Sequence, residues 1–400
     1  MDLRSGAAYW RLKSGLLASY SSLHANKACD VVVVGAGITG ALVADALVQE
    51  GLGVVVLDRR DVASGSTAAS TSLLQAAVDT ELSLLIAKVG EHVAVRTYQL
   101  GFEAIERVRQ LTRELDDQCE FAAYPTLYLA SDPEYVRQLL VEHECRCRHG
   151  FDVDYLNAPA LADRFGLSAP AALLCHGDAV VDSYRLAHAL LDRAHRRGAR
   201  IFDRTTVRQV IRRHDTVVLQ TETGNQVAAR HAVFAAGYES SELLGQSVGS
   251  LHSTFAAISE PLTPSKSSPH NYLLWETARP YFYMRPTADG RLVIGGADEP
   301  SAKDHAEEGV IAAKARVLVE QFHALYPDIP FVIDYAWGGT FAETDDGLPF
   351  IGQSPADPHA YFALGYGGNG ITMSVVAARI IADRICSRPN PDASLFEFGR

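Results

Sequence analysis

Gly35, Gly37 and Gly40 stand as G-x-G-x-x-G directly behind the apolar run Val31–Val34. Glycine permits the tight turn and the close approach of backbone to a pyrophosphate, whose charge then meets a helix N-terminus. Ala44 follows one turn later, where a small residue lets helix and strand approach each other. Asp58 ends the second apolar run, VVVLD, and is placed to accept hydrogen bonds from a ribose diol. The stretch Gly35, Ala36, Gly37, Ile38, Thr39, Gly40, with Asp58 and Arg59 after it, therefore predicts a bound dinucleotide. NAD and FAD present the same adenosine and pyrophosphate to such a unit, so these residues leave the choice between them open.

Three further stretches have the chemistry of a long cofactor site. SGSTAASTSLL, Ser64 to Leu74, offers hydroxyls and backbone N–H groups suited to a second phosphate and a polyol chain. The strand HAVFAAG ends in Ala236 and Gly237, where lack of bulk lets a cofactor lie against the backbone. GYGGNGITMS, from Gly365, opens a strongly apolar helix on a glycine turn. Their separation along the chain implies a cofactor threaded through the domain.

The elements that must position these residues follow from periodicity. LSLLIAKVGEHVAVRTYQLGFEAIERVRQLTREL repeats its apolar residues at helical spacing, and VVDSYRLAHALLDRAHRRG reads as a helix stopped by Gly198. STFAAISEPL, PYFYMRP and GRLVIGGADE read as strands, rich in aromatic and β-branched residues. The expected fold is α/β: a Rossmann-type nucleotide domain with an inserted antiparallel-sheet substrate domain. An N-terminal extension is expected over 1–27, the nucleotide domain over 28–115, 158–250 and 335–400, and the substrate domain over 116–157 and 251–334.

Composition narrows the partners. The 400 residues carry a formal net charge of −12, which argues against nucleic acid or an anionic membrane surface and for a small-molecule ligand. Six scattered cysteines do not form a dense disulfide framework, and no segment approaches the length of a membrane span; a cytoplasmic protein with reduced thiols is expected. His143, Cys145, Cys147 and His149 are zinc-binding types, but on a helix their spacing by two divides them between opposite faces, so no metal is expected.

VVVVGAGITG, VVVLDRR, GST, VVDSYRLAHAL, AAGYES, GRLVIGG, TDDGLPFIG and GYGGNGI together resemble the FAD-dependent D-amino acid oxidase superfamily over about residues 28–390. Glycine oxidase, sarcosine oxidase and γ-glutamylputrescine oxidoreductase are members of it. The resemblance implies FAD, with adenosine diphosphate on Gly35, Gly37, Gly40 and Asp58, Ser66, Thr67 and Thr71 near the pyrophosphate and ribityl chain, and Val207 meeting the adenine through its backbone. It also implies that Gly338 and the turn Gly367, Gly368, Asn369, Gly370, Ile371, Thr372 lie at the isoalloxazine. There a helix N-terminus would stabilise the anion formed on reduction. Relatives that bind flavin covalently use a cysteine where this chain has Thr340, or a histidine near GST where it has none, so FAD is expected to be non-covalent.

For the substrate, the resemblance points to Arg285, whose planar fork matches a carboxylate. Tyr281 and Tyr283 alternate along the same strand and could line the pocket, and His176 could touch substrate. The expected reaction is hydride removal from the carbon next to an amine nitrogen of an amino acid or N-substituted amine. Oxidation of a 2-hydroxy acid is the alternative; it needs a general base, for which His176 is the first candidate. A non-catalytic or partner-dependent flavoprotein subunit is a third reading. Oxygen, a quinone or an electron-transfer protein could each serve as electron acceptor.

Overall fold

The computed structural model describes residues 4–241, 248–263, 269–300 and 308–400. Two sheets organise them. The first has five parallel strands in the order Asp357–Leu364, Gln226–Phe234, Lys27–Val34, Val54–Leu57 and Arg200–Phe202, with Phe350–Ser354 added antiparallel at one edge. Strands Val207–Arg212 and Val217–Thr221 run antiparallel into Gln226–Phe234.

Alternation along Lys27–Val34 explains why this sheet is covered on both faces. Val31 and Val33 pack with helices Ile38–Gln49, Ser183–Arg196 and Gly370–Ile385, through Leu47, Leu190 and Ile380 among others. Val32 and Val34 point the other way, onto Val217, Leu219 and Phe362. A strand buried on both faces reads as an unbroken apolar run, which is the pattern of Val31–Val34.

The second sheet has the order Arg4–Gly6, Ile333–Glu343, Ser250–Ser259, Leu292–Glu299, Phe282–Pro286, Leu273–Glu276, Ala122–Leu129, Ala171–Val180 and Leu73–Leu74. Its neighbours are antiparallel except Leu273–Glu276 beside Ala122–Leu129. One face buries Phe255, Phe282, Met284 and Ile294 against Leu318 and Phe322 of helix Glu308–Leu325.

The sheets divide the chain differently from the expected segments. Ala171–Val180 lies within 158–250 but hydrogen-bonds to Ala122–Leu129 in the second sheet. Most of Ile333–Glu343 lies within 335–400 yet pairs with Ser250–Ser259. The extension 1–27 supplies that sheet with an edge strand, Arg4–Gly6. Short apolar runs carry no information on which sheet will accept them; pairing partners decide it. Among the described residues, no helix is long and apolar enough to cross a membrane.

Candidate active site

A cavity of about 380 Å³ runs between the two sheets. It begins at the glycine turn after Lys27–Val34. Gly35 has φ +103°, and a Cβ there would sit 2.4 Å from the Ala235 carbonyl oxygen. At Gly40 a Cβ would sit 1.8 Å from the carbonyl oxygen of Gly35, so this glycine is required by the turn's own backbone. The helix Ile38–Gln49 starts at Gly37, which has no side chain to cap it, and its first turn lines the cavity through Ile38 and Thr39.

Asp58 closes the same end. Its Oδ2 accepts from the Ala36 N–H at 2.7 Å and its Oδ1 from the Arg60 N–H at 2.8 Å. Burial pushes its carboxyl up to about 6, against the opposing pull of those two N–H groups. Arg59 and Arg60 both pair with Glu239 beside it. Across the turn, Thr67 Oγ1 accepts from the Ile38 N–H at 2.9 Å, while the Ser66 hydroxyl is buried with no partner among the described residues. At the far end, the helix Gly370–Ile385 also begins without a side-chain cap, behind Gly367 and Gly368.

Of the residues singled out from sequence, Gly35, Gly37, Ile38, Thr39, Asp58, Arg59, Ser66, Thr67 and Thr71 line this cavity. So do Val207, Ala236, Gly237, Gly367, Gly368, Asn369, Gly370 and Ile371, together with Tyr281 and Tyr283. Ala36, Gly40, Gly338 and Thr372 do not. Ala36 presents its N–H to Asp58, Gly40 serves the turn, Gly338 pairs with Phe255 and Ser5, and Thr372 donates to the Gln75 carbonyl at 3.4 Å.

Two substrate-side expectations are corrected. Arg285 is 1% exposed and lies outside the cavity. Its Nη1 donates to the carbonyls of Thr71, Ser72 and Val181 at 3.3, 3.1 and 3.2 Å, and its Nε to that of Pro286 at 2.9 Å. A guanidinium committed to backbone carbonyls is not a carboxylate clamp. Burial pulls it down to about 10. His176 is half-exposed, its Nε2 3.7 Å from Asp154. It borders a separate cavity of about 20 Å³ that shares only the wall of Gln75 and Trp275 with the main one.

Sequence reasoning missed Gln75, Asp79, Thr254, Trp275 and Tyr366, which complete the end walled by the second sheet. Asp79 follows no periodic pattern; it sits in the loop between Leu73–Leu74 and Leu82–Val89. Its Oδ2 accepts from the Gly368 N–H at 2.7 Å. Histidine, cysteine and lysine are absent from the cavity wall among the described residues. On helix Val136–Arg148, His143 Nε2 lies 3.5 Å from Cys147 Sγ, which also meets the Val153 carbonyl at 3.9 Å, and the His143 ring packs on Tyr155.

Two helix N-termini on one cavity, a glycine turn that admits no Cβ, and a serine hydroxyl without a partner among the described residues fit a bound dinucleotide with two phosphates. A parallel sheet carrying this cradle, joined to a second sheet that closes the cavity, defines the class of dinucleotide-dependent oxidoreductases. Residues 30–384 match the DAO family, described as FAD dependent oxidoreductase, and the chain belongs to that family, with FAD as its cofactor. It is 26% identical over 391 residues to gamma-glutamylputrescine oxidoreductase of Escherichia coli (strain K12), covering 94% of this chain and 88% of that protein. It is 27% identical over 363 residues to glycine oxidase of Geobacillus kaustophilus (strain HTA426), covering 89% and 92%. The crystal structure of glycine oxidase from Geobacillus kaustophilus shares the fold, with a TM-score of 0.78 at 23% identity over 94% of this chain and 99% of that one.

Proposed function

We propose that this protein oxidises amines, removing hydride from the carbon next to an amine nitrogen. The observation that carries this reading is the location of Arg285 and His176 outside the cavity. A 2-hydroxy acid would require a base for its hydroxyl proton, for which His176 was the first candidate, and any carboxylate substrate a cation, for which Arg285 was. An unprotonated amine requires neither. The names of the two relatives above, one an oxidase of glycine and the other an oxidoreductase of gamma-glutamylputrescine, support the same class.

In this reading Gly35, Gly37, Ser66, Thr67 and the two helix N-termini hold the phosphates and the electron-rich edge of FAD, and Asp58 orients the turn through the Ala36 and Arg60 N–H groups. Bound there, FAD would supply a two-electron acceptor for the substrate's hydride, with oxygen, a quinone or an electron-transfer protein as final electron acceptor. The substrate loses the N–H proton to solvent, and the resulting imine adds water and releases the amine. Trp275, Tyr281 and Tyr283 keep the reacting carbon in an apolar, water-poor setting.

Anaerobic addition of amines, amino acids and 2-hydroxy acids tests the reaction class through loss of the flavin's visible absorbance. Bleaching by an amine or amino acid is expected. Bleaching by 2-hydroxy acids alone, or by none of the three classes, overturns the proposal.

A further inference from the structure

The end of the cavity walled by the second sheet has an unusual balance of charge. Asp79 lines it, held through the Gly368 N–H on Oδ2, while its Oδ1 has no protein partner among the described residues. Tyr281 and Tyr283 stand beside it with ring centroids 5.9 Å apart, and Trp275 completes an aromatic wall. Asp298 lies behind this wall next to the Thr254 hydroxyl, its Oδ1 buried and unpartnered. The cations among the described lining residues are Arg59, Arg60 and Arg208, all beside Asp58, Glu239 and Val207 at the nucleotide end. Arg279, whose guanidinium carbon is 5.0 Å from the centroid of the Tyr281 ring and whose Nη2 donates to the Asp79 backbone carbonyl at 3.3 Å, is exposed and does not line the cavity; it leaves the Asp79 carboxylate without a side-chain ion pair among the described residues.

A carboxylate brought into this end would be desolvated next to Asp79, with no guanidinium or ammonium among the described lining residues there to meet it. An ammonium group would find the reverse: a carboxylate oxygen to accept its hydrogen bonds and aromatic faces that attract positive charge. Burial pushes the carboxyls of Asp79 and Asp298 up, and Asp79 raises Asp298 further, so a cation beside Asp79 stabilises its charged form.

We propose that this end of the cavity takes a substrate bearing a second ammonium group and no carboxylate on its reacting carbon, in the simplest case an α,ω-diamine, with Asp79 as the anionic anchor. The proposal narrows the amine reading above and rests on it. One amino-bearing carbon loses hydride to FAD and a proton leaves the nitrogen, while the distal ammonium stays charged against Asp79 throughout.

The test compares three probes on the holoenzyme under anaerobic conditions: 1,4-diaminobutane, butylamine, and α-amino acids such as glycine and proline. The diamine is expected to bleach the flavin at a concentration roughly ten- to a hundredfold lower than butylamine, the range of one charge-assisted hydrogen bond. The amino acids are expected to be poorest. Asp79→Asn, which keeps an acceptor for the Gly368 N–H, is expected to remove the advantage of the diamine over butylamine while flavin content stays at the wild-type ratio. Preference for α-amino acids, or equal use of diamine and monoamine by the wild-type enzyme, overturns this proposal and leaves the amine reading standing. Bleaching by 2-hydroxy acids alone, or by no probe, overturns both.

Discussion

The guanidinium carbon of Arg285 lies 5.2 Å from the centroid of the Trp10 indole, and both side chains are fully buried. Trp10 in turn donates from Nε1 to the Ser70 carbonyl at 2.7 Å. Arg285 and Trp10 thus hold one loop, Ser70 to Ser72, from two sides, and Trp337 holds its neighbour by donating to the Ala69 carbonyl at 2.7 Å. Because Ser66, Thr67 and Thr71 of this stretch line the cavity, the N-terminal helix Tyr9–Ser14 supports the cofactor wall without touching the cavity itself.

Arg285→Ala should therefore act on the fold and on cofactor retention rather than on substrate choice. It strips the donor from four backbone carbonyls, a loss of roughly 2–5 kcal/mol. Urea unfolding and flavin release on dilution measure it. A variant of wild-type stability whose only defect is a raised KM for carboxylate substrates would restore the clamp.

Trp10→Phe keeps the ring over Arg285 but loses the bond to Ser70. A decrease of roughly 1 kcal/mol in stability is expected, with weaker FAD binding to the apoprotein. Unchanged FAD affinity in a titration would show that the loop holds its shape without the indole.

Gly40→Ala should give protein without flavin. The added methyl would fall 1.8 Å from a backbone oxygen, a contact that no side-chain rotation relieves, so the turn must open. The flavin-to-protein absorbance ratio reads the outcome, and a wild-type ratio would contradict the geometry.

FAD should leave the protein on denaturation. Thr340 lines the cavity where covalent relatives have cysteine, and no cysteine or histidine lines it among the described residues. Acid precipitation should leave the yellow colour in the supernatant; colour retained in the pellet would mean a covalent link elsewhere.

His188 gives the protein an acid limit. Both ring nitrogens are buried without partners among the described residues, and burial, with Arg11 nearby, pulls the imidazole from 6.5 down to about 4. The unfolded chain therefore takes up a proton between those values that the folded protein refuses. Stability is full above pH 6.5 and falls as pH drops toward 4, by up to roughly 3 kcal/mol from this group. His188→Leu should flatten that part of the stability profile measured by urea unfolding at pH 7 and 4.5. An unchanged slope would assign the acid loss to other groups.

The cradle was legible in sequence because backbone sterics leave no other residue at Gly35 and Gly40, and because Val31–Val34 can only be a strand covered on both faces. The strand Phe282–Pro286 shows the opposite case. Tyr281, Tyr283 and Arg285 alternate, so they share one face, and the two tyrosines do line the cavity. Two residues further on, that face has passed the cavity's end and meets the N-terminal helix. Periodicity gives the direction of a side chain but not how far the cavity extends beneath it. Asp79 was invisible for a different reason: an isolated acid in a loop has no period, and only the fold brings it against Gly368.

The register of the outermost strand sets a schedule for the living chain. Ser5 pairs with Gly338, far along the chain, and the helix that closes the cavity's far end begins at Gly370. A nascent chain therefore holds Arg4–Gly6 without its partner strand until Ile333–Glu343 has been made, which makes this a slow, non-local assembly. Cofactor capture then waits until both ends of the cavity, at Gly37 and at Gly370, have emerged.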